Sequence, residues 1–393
     1  MVRNMSISRR VFFAGLTVSG LSACSSGPVP QGRTTTAAPR AVRNPEFDIW
    51  LAQFRGRAAG HGISARVLST ALVGAGFLPE VLNKDRNQTE FVRSLEDNIA
   101  LAASDERIRV GKAKLARHGA LLAGLEARYG VEAEVITAIW GHESIYGERR
   151  GNIPVLSSLA TLAYGGRRRG FFEAQLIAAL KIVQAGEVSP ANMLGSWAGA
   201  MGHTQFIPTT YRAYAQDYHG DGRRDIWSDD PTDALASAAS YLHRSGWRKG
   251  HPWGVEIRLS DGRDMRGRVV PDYGASSVLT PAGRNGPAFK VFKNYHVFRR
   301  YNNAMKYAIA VGHLSDRLAG KPAIQGHFAP DAQGLNLSNR KEIQRRLAAK
   351  GFYQGIEDGV IGPKTIASIR AYQAAKGLAQ DGLASKALLA HLR

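Results

Sequence analysis

The carboxyl of Glu143 closes an apolar helical stripe, and a carboxyl so placed suits general acid chemistry. Through residues 129–143, Ile136, Ile139 and Trp140 recur at three- and four-residue spacing, and Glu143 follows Ile136 by seven residues and Ile139 by four. Its side chain is therefore expected to project from the buried face of a helix, near the C-terminal end. Burial and the negative end of the helix dipole both disfavour the carboxylate, which predicts a raised pKa and a group still protonated near neutral pH. A general acid needs that state. The plain alternative is an exposed, idle glutamate at a frayed helix end. Glu132 shares the spacing, four residues before Ile136. Its place at the helix start is better explained as a charge complementing the N-terminal dipole.

The neighbourhood of Glu143 adds what spacing lacks. Trp140-Gly141-His142-Glu143-Ser144-Ile145-Tyr146-Gly147 resembles the catalytic glutamate motif of the membrane-bound lytic transglycosylase B family. A second block, Gly195-Ser196-Trp197-Ala198-Gly199-Ala200-Met201-Gly202-His203-Thr204-Gln205-Phe206-Ile207-Pro208, is similar to the family's segment lining the sugar cleft, where a serine and a glutamine face the saccharide. By position these are Ser196 and Gln205. A third block, Asn294-Tyr295-His296-Val297-Phe298 through Tyr307-Ala308-Ile309-Ala310-Val311, resembles the core helix whose tyrosines enclose the acid. It points to Tyr301, Asn302 and Tyr307, and similarly to Tyr241 in Ala238-Ala239-Ser240-Tyr241-Leu242. Without the family, those tyrosines read as ordinary core or half-buried aromatics.

The count of carboxylates bears on mechanism. Ordinary glycosidases pair an acid with a second carboxylate, whereas substrate-assisted enzymes dispense with it. No motif here offers an obvious second one. The resemblance implies the substrate-assisted course in peptidoglycan: Glu143 protonates the β-1,4 glycosidic oxygen between N-acetylmuramic acid and N-acetylglucosamine while the muramic N-acetyl oxygen assists departure. Glu143 then takes the proton of the C6 hydroxyl, closing a 1,6-anhydro ring without water, with Gln205, Ser196 and Tyr301 orienting the N-acetyl group. A hydrolytic muramidase and a non-catalytic peptidoglycan-binding lipoprotein are the alternatives.

These residues need elements to hold them. From about Pro45 to Leu318, the span of the resemblance, the pattern is largely helical, starting with Phe47 to Phe54 and continuing over 88–103, 106–129, 131–145, 170–185, 208–216, 231–244 and 297–318. Over 251–296, Val255, Ile257 and Leu259 alternate with Glu256 and Arg258 amid Gly and Pro, predicting a small β-rich insertion. Residues 319–334 read as a linker. The last unit, 335–393, predicts short helices around two Asp-Gly turns, Asp358-Gly359 and Asp381-Gly382, over an apolar set of Ile343, Leu347, Phe352, Val360, Ile361, Ile366, Ile369, Tyr372, Leu378, Leu388 and Leu389. Its pattern, with Gly351-Phe352-Tyr353, Asp358-Gly359-Val360-Ile361-Gly362-Pro363 and Gly377-Leu378, resembles the peptidoglycan-binding-domain-1 family over nearly its whole length. The expected architecture is mainly α: a lysozyme-like helical catalytic core (45–318) with a β insertion, then a small three-helix peptidoglycan-binding domain.

The segment Asp217-Tyr218-His219-Gly220-Asp221-Gly222-Arg223-Arg224-Asp225 starts like a calcium loop. His219 stands where an oxygen ligand belongs, Arg223 and Arg224 add positive charge, and position twelve is Ser228 in place of a bidentate glutamate, although Asp233 offers a closing ligand. A hydrogen-bonded turn is favoured over calcium, and no metal ligand or cofactor is assigned.

Length and composition bound the rest. The chain has 393 residues, 44% of them apolar, enough for two or three folded units. With 52 Lys+Arg against 32 Asp+Glu, a formal +20, it is drawn to polyanions such as nucleic acid, anionic lipid or wall polymers. The basic runs Arg167-Arg168-Arg169 and Arg345-Arg346 read as solvated charges, so nucleic acid is not an expected partner. Cys24 is the sole cysteine, which excludes an internal disulfide and a cysteine metal cluster. Before it, Arg3, Arg9 and Arg10 lead into an apolar run from Val11 to Leu21, too short to span a bilayer and typical of a signal peptide. Leu21-Ser22-Ala23-Cys24 resembles a lipobox, which implies cleavage after residue 23 and acylation of Cys24, with residues 25–44 as a flexible tether. Ser8-Arg9-Arg10-Val11-Phe12 also looks like a twin-arginine export signal. Ser25 after the cysteine fits sorting to the outer membrane of a two-membrane cell, placing the chain in the periplasm on a lipid anchor.

Overall fold

The computed structural model describes residues 38–87 and 94–393. Cys24, the signal segment and most of the tether lie outside the described residues. The end of the tether is already folded: Val42 N–H donates to the Phe77 carbonyl at 2.9 Å. Helix α1 (Pro45–Gly60) starts where Asn44 Oδ1 accepts from Phe47 N–H at 3.0 Å, with Pro45 in the first turn and Glu46 and Asp48 against the positive helix end. Helices α2 (Ala65–Ala71) and α3 (Pro79–Arg86) follow. Helices α4 (Leu95–Ala102) and α5 (Asp105–Arg117) begin on the hydroxyls of Ser94 and Ser104, which accept from Asp97 and Arg107 N–H. After α6 (Gly119–Tyr129) comes α7 (Ala133–Ser144), which carries Glu143.

The two-residue strand β1 (Ile153–Pro154) leads into α8 (Val155–Gly165) and α9 (Arg169–Gln184) and pairs antiparallel with β2 (Leu194–Gly195). Helices α10 (Pro208–Tyr214) and α11 (Thr232–Arg244) precede the insertion, an antiparallel sheet of β3 (Gly254–Ile257), β4 (Ser277–Leu279) and β5 (Ala288–Val291) in the order β3-β5-β4. Helices α12 (Lys293–Tyr301) and α13 (Met305–Leu318) close the catalytic region, and α14 (Leu337–Ala349), α15 (Pro363–Ala375) and α16 (Lys386–Leu392) form the C-terminal module. No described helix is long and apolar enough to cross a membrane.

Two cores meet in the catalytic region. One gathers α1, α2, α3, α8, α9 and α10 around Phe54, Leu159 and Phe172. The other gathers α4 to α7 and α11 to α13 around Ile136, Ile139 and Phe298. Tyr241 and Tyr301 pack against both and stand on the seam, while Tyr307 belongs to the second core.

Three expectations from periodicity change. The single helix over 106–129 is broken at His118, whose backbone leaves the helix (φ −106°, ψ 22°) before Gly119, a poor helix former, and whose ring packs on Trp140 at 5.4 Å. The helix over 297–318 is likewise two, because Asn302 is extended (φ −142°, ψ 121°). Leu259 does not continue the inward alternation: β3 ends at Ile257, the chain turns at Gly262, and Leu259 is 44% exposed. Helices α2, α3 and α8 are additions. Helix α8 is buried continuously from Val155 to Ala163, and its polar stripe of Ser157, Ser158 and Thr161 faces protein: Ser157 and Thr161 accept from Gly76 and Leu78 N–H at 3.1 and 3.0 Å.

The stretch read as a linker is docked. Glu256 accepts from the N–H groups of Gln325 and Gly326, at 2.9 and 2.7 Å, and Phe328 packs against the second core. In the module, the two Asp-Gly turns share one device. Gln344 Oε1 accepts from Gly359 N–H at 2.6 Å while its Nε2 donates to Asp358 at 3.1 Å; Gln373 does the same for Gly382 and Asp381 at 2.9 and 2.7 Å. Tyr353, Leu335 and Leu392 join the expected core, whereas Val360, Ile366 and Leu378 are only half-buried. Replacing Gln344 with leucine keeps the volume but strands the buried Gly359 N–H, at a cost of about 1–3 kcal/mol. Hydrogen exchange should then show faster opening over 335–393 with protection of α7 unchanged.

Candidate active site

Glu143 lies half-buried one residue before the end of α7. That end is abrupt. Ile145 and Tyr146 are consecutive non-glycine residues in the left-handed region, at φ 52° and 55°, each costing about 1–2 kcal/mol. Packing offsets the strain: Tyr146 is buried, its hydroxyl donates to the Arg107 carbonyl at 2.8 Å, and its ring lies so close to Gly141 that a Cβ there would sit 2.5 Å from it. Arg107 Nη1 donates to the Gly141 carbonyl at 2.8 Å. A guanidinium thus stands at the negative end of the catalytic helix, where spacing alone suggests a bare dipole. At the other end Glu132 does more than complement the dipole: its carboxylate accepts from Trp247 Nε1 and Gly250 N–H, both at 2.7 Å, and pins that loop to the start of α7.

An aromatic wall runs away from Glu143. Tyr307, from the first turn of α13, donates its hydroxyl to Glu143 Oε1 at 2.6 Å. Its ring stacks on Tyr301 (centroids 6.3 Å apart, planes 10° apart) and meets His142 edge-on at 4.8 Å. Tyr301 donates to the Thr204 carbonyl at 2.6 Å and contacts Tyr241 at 5.0 Å. Tyr241 donates to the Arg300 carbonyl at 2.6 Å and touches Tyr214 at 4.6 Å. Burial first, and then the Glu143 charge, push Tyr301 and Tyr307 well above the ordinary phenol range, so both remain donors. Burial lowers His142 to about 4, and its ring is neutral. The break at Asn302 makes this possible, since it lets Tyr301 and Tyr307 meet from two helices.

Gln205 adopts a left-handed backbone, φ 52°, and donates through Nε2 to the carbonyls of Arg150 and Gly202 at 3.0 and 2.9 Å. With both amide protons so spent, Oε1 is the group it offers a ligand. Ser196 follows β2, whose pairing with β1 brings this segment beside the chain leaving α7. Its Oγ accepts from Ala198 and Ala200 N–H at 3.3 and 3.1 Å, which leaves the hydroxyl proton to donate outward.

The structure therefore joins Glu143, Tyr307, Tyr301 and Tyr241 in one chain of contacts, with Gln205 next to Thr204. Asn302 is exposed and serves the break through its backbone; among the described residues its side chain makes no hydrogen bond. Arg107, Arg150, Tyr214, His203 (3.1 Å from Trp140 Nε1) and Phe206 (ring 6.0 Å from Tyr241 and 5.9 Å from Tyr301) join the site without having been singled out. Their contribution is contact geometry between distant segments, which spacing does not reveal.

The calcium-like loop is closed by hydrogen bonds. Asp217 accepts from Gly220, Asp221 and Gly222 N–H, Asp225 from Trp227 and Ser228, and Asp233 from Tyr218, His219 and the Asp225 N–H. His219 pairs with Asp230 at 3.2 Å, and among the described residues no three acidic or imidazole groups converge. No step of the reaction is assigned to a cation.

Known proteins resemble both regions of the chain. A family described as transglycosylase SLT domain matches residues 46–316, and one described as a peptidoglycan binding domain matches residues 336–392. Membrane-bound lytic murein transglycosylase B of Escherichia coli (strain K12) is 32% identical over 211 residues, 49% of this chain, and the match spans only 58% of that relative's length. Crystal structures of SltB3 from Pseudomonas aeruginosa, in complex with NAG-NAM-pentapeptide and with NAG-anhNAM-pentapeptide, are 45% identical, cover 88% of this chain and 99% of theirs, and superpose with a TM-score of 0.70. Escherichia coli Slt35 in complex with calcium is 26% identical, covering 74% of this chain and 98% of its own, with a TM-score of 0.59.

Proposed function

Because the chain belongs to the transglycosylase SLT domain family of lytic transglycosylases, enzymes that cleave glycosidic bonds of peptidoglycan, we propose that it cuts glycan strands without water, with Glu143 as acid and then base. The observation that carries this reading is the pairing of Glu143 with Tyr307 at the head of an aromatic wall. Protonated Glu143 delivers its proton to the β-1,4 glycosidic oxygen between N-acetylmuramic acid and N-acetylglucosamine. The muramic N-acetyl oxygen stabilises the electron-poor C1 as the bond breaks. The Glu143 carboxylate then takes the C6 hydroxyl proton, the C6 oxygen bonds to C1, and the carboxyl is restored for another turnover.

The neighbours have matching tasks. Tyr307 steadies the carboxylate between the two proton transfers, and the deep burial of its phenol keeps its own proton in place. Gln205 Oε1 accepts the acetamido N–H, Ser196 donates to the sugar, and the tyrosine wall excludes water. The SltB3 complexes with NAG-NAM-pentapeptide and NAG-anhNAM-pentapeptide support carrying this substrate and product class to the present chain. The C-terminal module holds the strand near the site. Mass spectrometry of digested sacculi tests the reading: 1,6-anhydro ends are expected, reducing muramic acid ends would mean hydrolysis, and no release would mean a binding protein.

Attachment is a separate part of the proposal. Cys24, acylated after export, tethers the enzyme to the periplasmic face of a membrane, in the outer membrane if Ser25 directs sorting. Radiolabelled palmitate fed to cells is expected to enter the parent chain and not a Cys24→Ala variant; a parent chain that takes up no label counts against the anchor.

A further inference from the structure

The two sequence blocks that carry Glu143 and Gln205 meet on one buried side chain, His203, which is 3% exposed. Trp140 Nε1 lies 3.1 Å from His203 Nδ1. An indole N–H only donates, so Nδ1 is the acceptor and the imidazole proton sits on Nε2, which donates to the Ser228 carbonyl at 2.8 Å; Arg150 Nη1, itself a donor, lies 3.2 Å from that nitrogen and shares the same carbonyl. The backbone of the same residue is tied to the acid's own helix: its carbonyl accepts from Ser144 Oγ at 2.6 Å, one residue after Glu143. Two residues further on, Gln205 donates to the Arg150 carbonyl. The Arg150 guanidinium in turn donates to the carbonyls of Trp227 and Ser228 and to Asp229. A closed circuit runs from α7 through His203 and Ser228 to Arg150 and Gln205. Gly147 completes it, because a Cβ there would lie 2.5 Å from both Cε1 and Nδ1 of the His203 ring.

We propose that His203 is a positioning residue that fixes the spacing between the Glu143 carboxyl and the Gln205 amide by clamping α7 to the Gln205 loop. The proposal rests on the lytic transglycosylase reading of those two residues. His203 does not touch the reacting atoms; it acts through Trp140 and Ser144 on one side and through its own loop on the other. Burial, opposed by the Ser228 carbonyl and reinforced by the Arg150 charge, holds the imidazole at about 4, so the ring stays neutral, as the clamp needs, through neutral and mildly acidic pH. A protonated ring would present a second donor to Trp140 and open the circuit.

The test is steady-state release of anhydromuropeptides from soluble glycan strands by the full chain and by His203→Phe, His203→Asn and His203→Leu, each checked for folding by circular dichroism. His203→Phe fills the space but accepts nothing from Trp140, and is expected to lose roughly 10- to 100-fold in kcat, well beyond any change in KM. His203→Asn offers a carbonyl to Trp140 N–H and is expected to recover much of that loss. His203→Leu, smaller and equally unable to accept, is expected to resemble His203→Phe. Equal kcat for folded His203→Phe and the parent would overturn the clamp, as would equal impairment of the Phe and Asn variants, which marks plain packing. If His203→Phe does not fold, near-parental His203→Asn with impaired His203→Leu supports the clamp, and any other pairing of those two overturns it. Absence of anhydro products from the parent chain would instead sink the reading on which the clamp rests.

Discussion

Replacing Glu143 with glutamine is expected to cut anhydromuropeptide release by roughly three orders of magnitude, the scale of a lost general acid and base. Glutamine keeps the shape of the side chain, and its carbonyl still accepts the Tyr307 hydroxyl now 2.6 Å from Glu143 Oε1. The aromatic wall and the fold should therefore survive. What disappears is an acidic proton for the leaving oxygen and a carboxylate to receive the C6 proton. Binding to sacculi is expected to be unchanged, because the C-terminal module has its own core. Chromatography of released muropeptides, alongside a pull-down on sacculi, separates the two effects. Product formation near the parental rate would reject Glu143 as the acid.

Tyr307→Phe should give the second largest loss. Its hydroxyl makes a hydrogen bond to a charged partner, a class that contributes about 1.5–3 kcal/mol, which corresponds to roughly 10- to 100-fold in kcat. The ring, stacked on Tyr301 and set edge-on to His142, is retained. The direction on the pH axis is also fixed. A donor to Glu143 favours the ionised form, so removing it leaves the carboxyl protonated to higher pH. The alkaline limb of kcat/KM, where the acid is lost, should move upward. A drop in rate with an unmoved limb would show that Tyr307 shapes the cleft without tuning the acid.

Several features of the site were legible because they are local. The stripe Ile136, Ile139, Trp140 placed Glu143 on a half-buried helical face, and all three stripe residues are indeed buried. The Asp-Gly turns marked the module, and both are held by the same buried glutamine device. What escaped is non-local. Arg107 approaches the end of α7 from 34 residues away, and nothing in its surroundings announces that it meets Gly141. Glu132 has the spacing of a helix-start charge, yet its partners are Trp247 and Gly250. The break at Asn302 contradicts a continuous apolar period, and it is the break that sends Tyr301 and Tyr307 to one carboxyl. Helix α8 shows the opposite failure: its polar stripe of Ser157, Ser158 and Thr161 is buried, with Ser157 and Thr161 bonded to Gly76 and Leu78 N–H, so polarity there does not report exposure. Family resemblance supplied the tyrosines, whereas the circuit through His203 and Arg150 required the contacts themselves.

Bond cleavage by this route consumes no water, so digestion of sacculi in water enriched in oxygen-18 is expected to release muropeptides one water lighter than hydrolytic products, with no heavy oxygen at C1 of the muramic acid. One heavy oxygen incorporated per cut, at a reducing muramic acid end, would show hydrolysis instead.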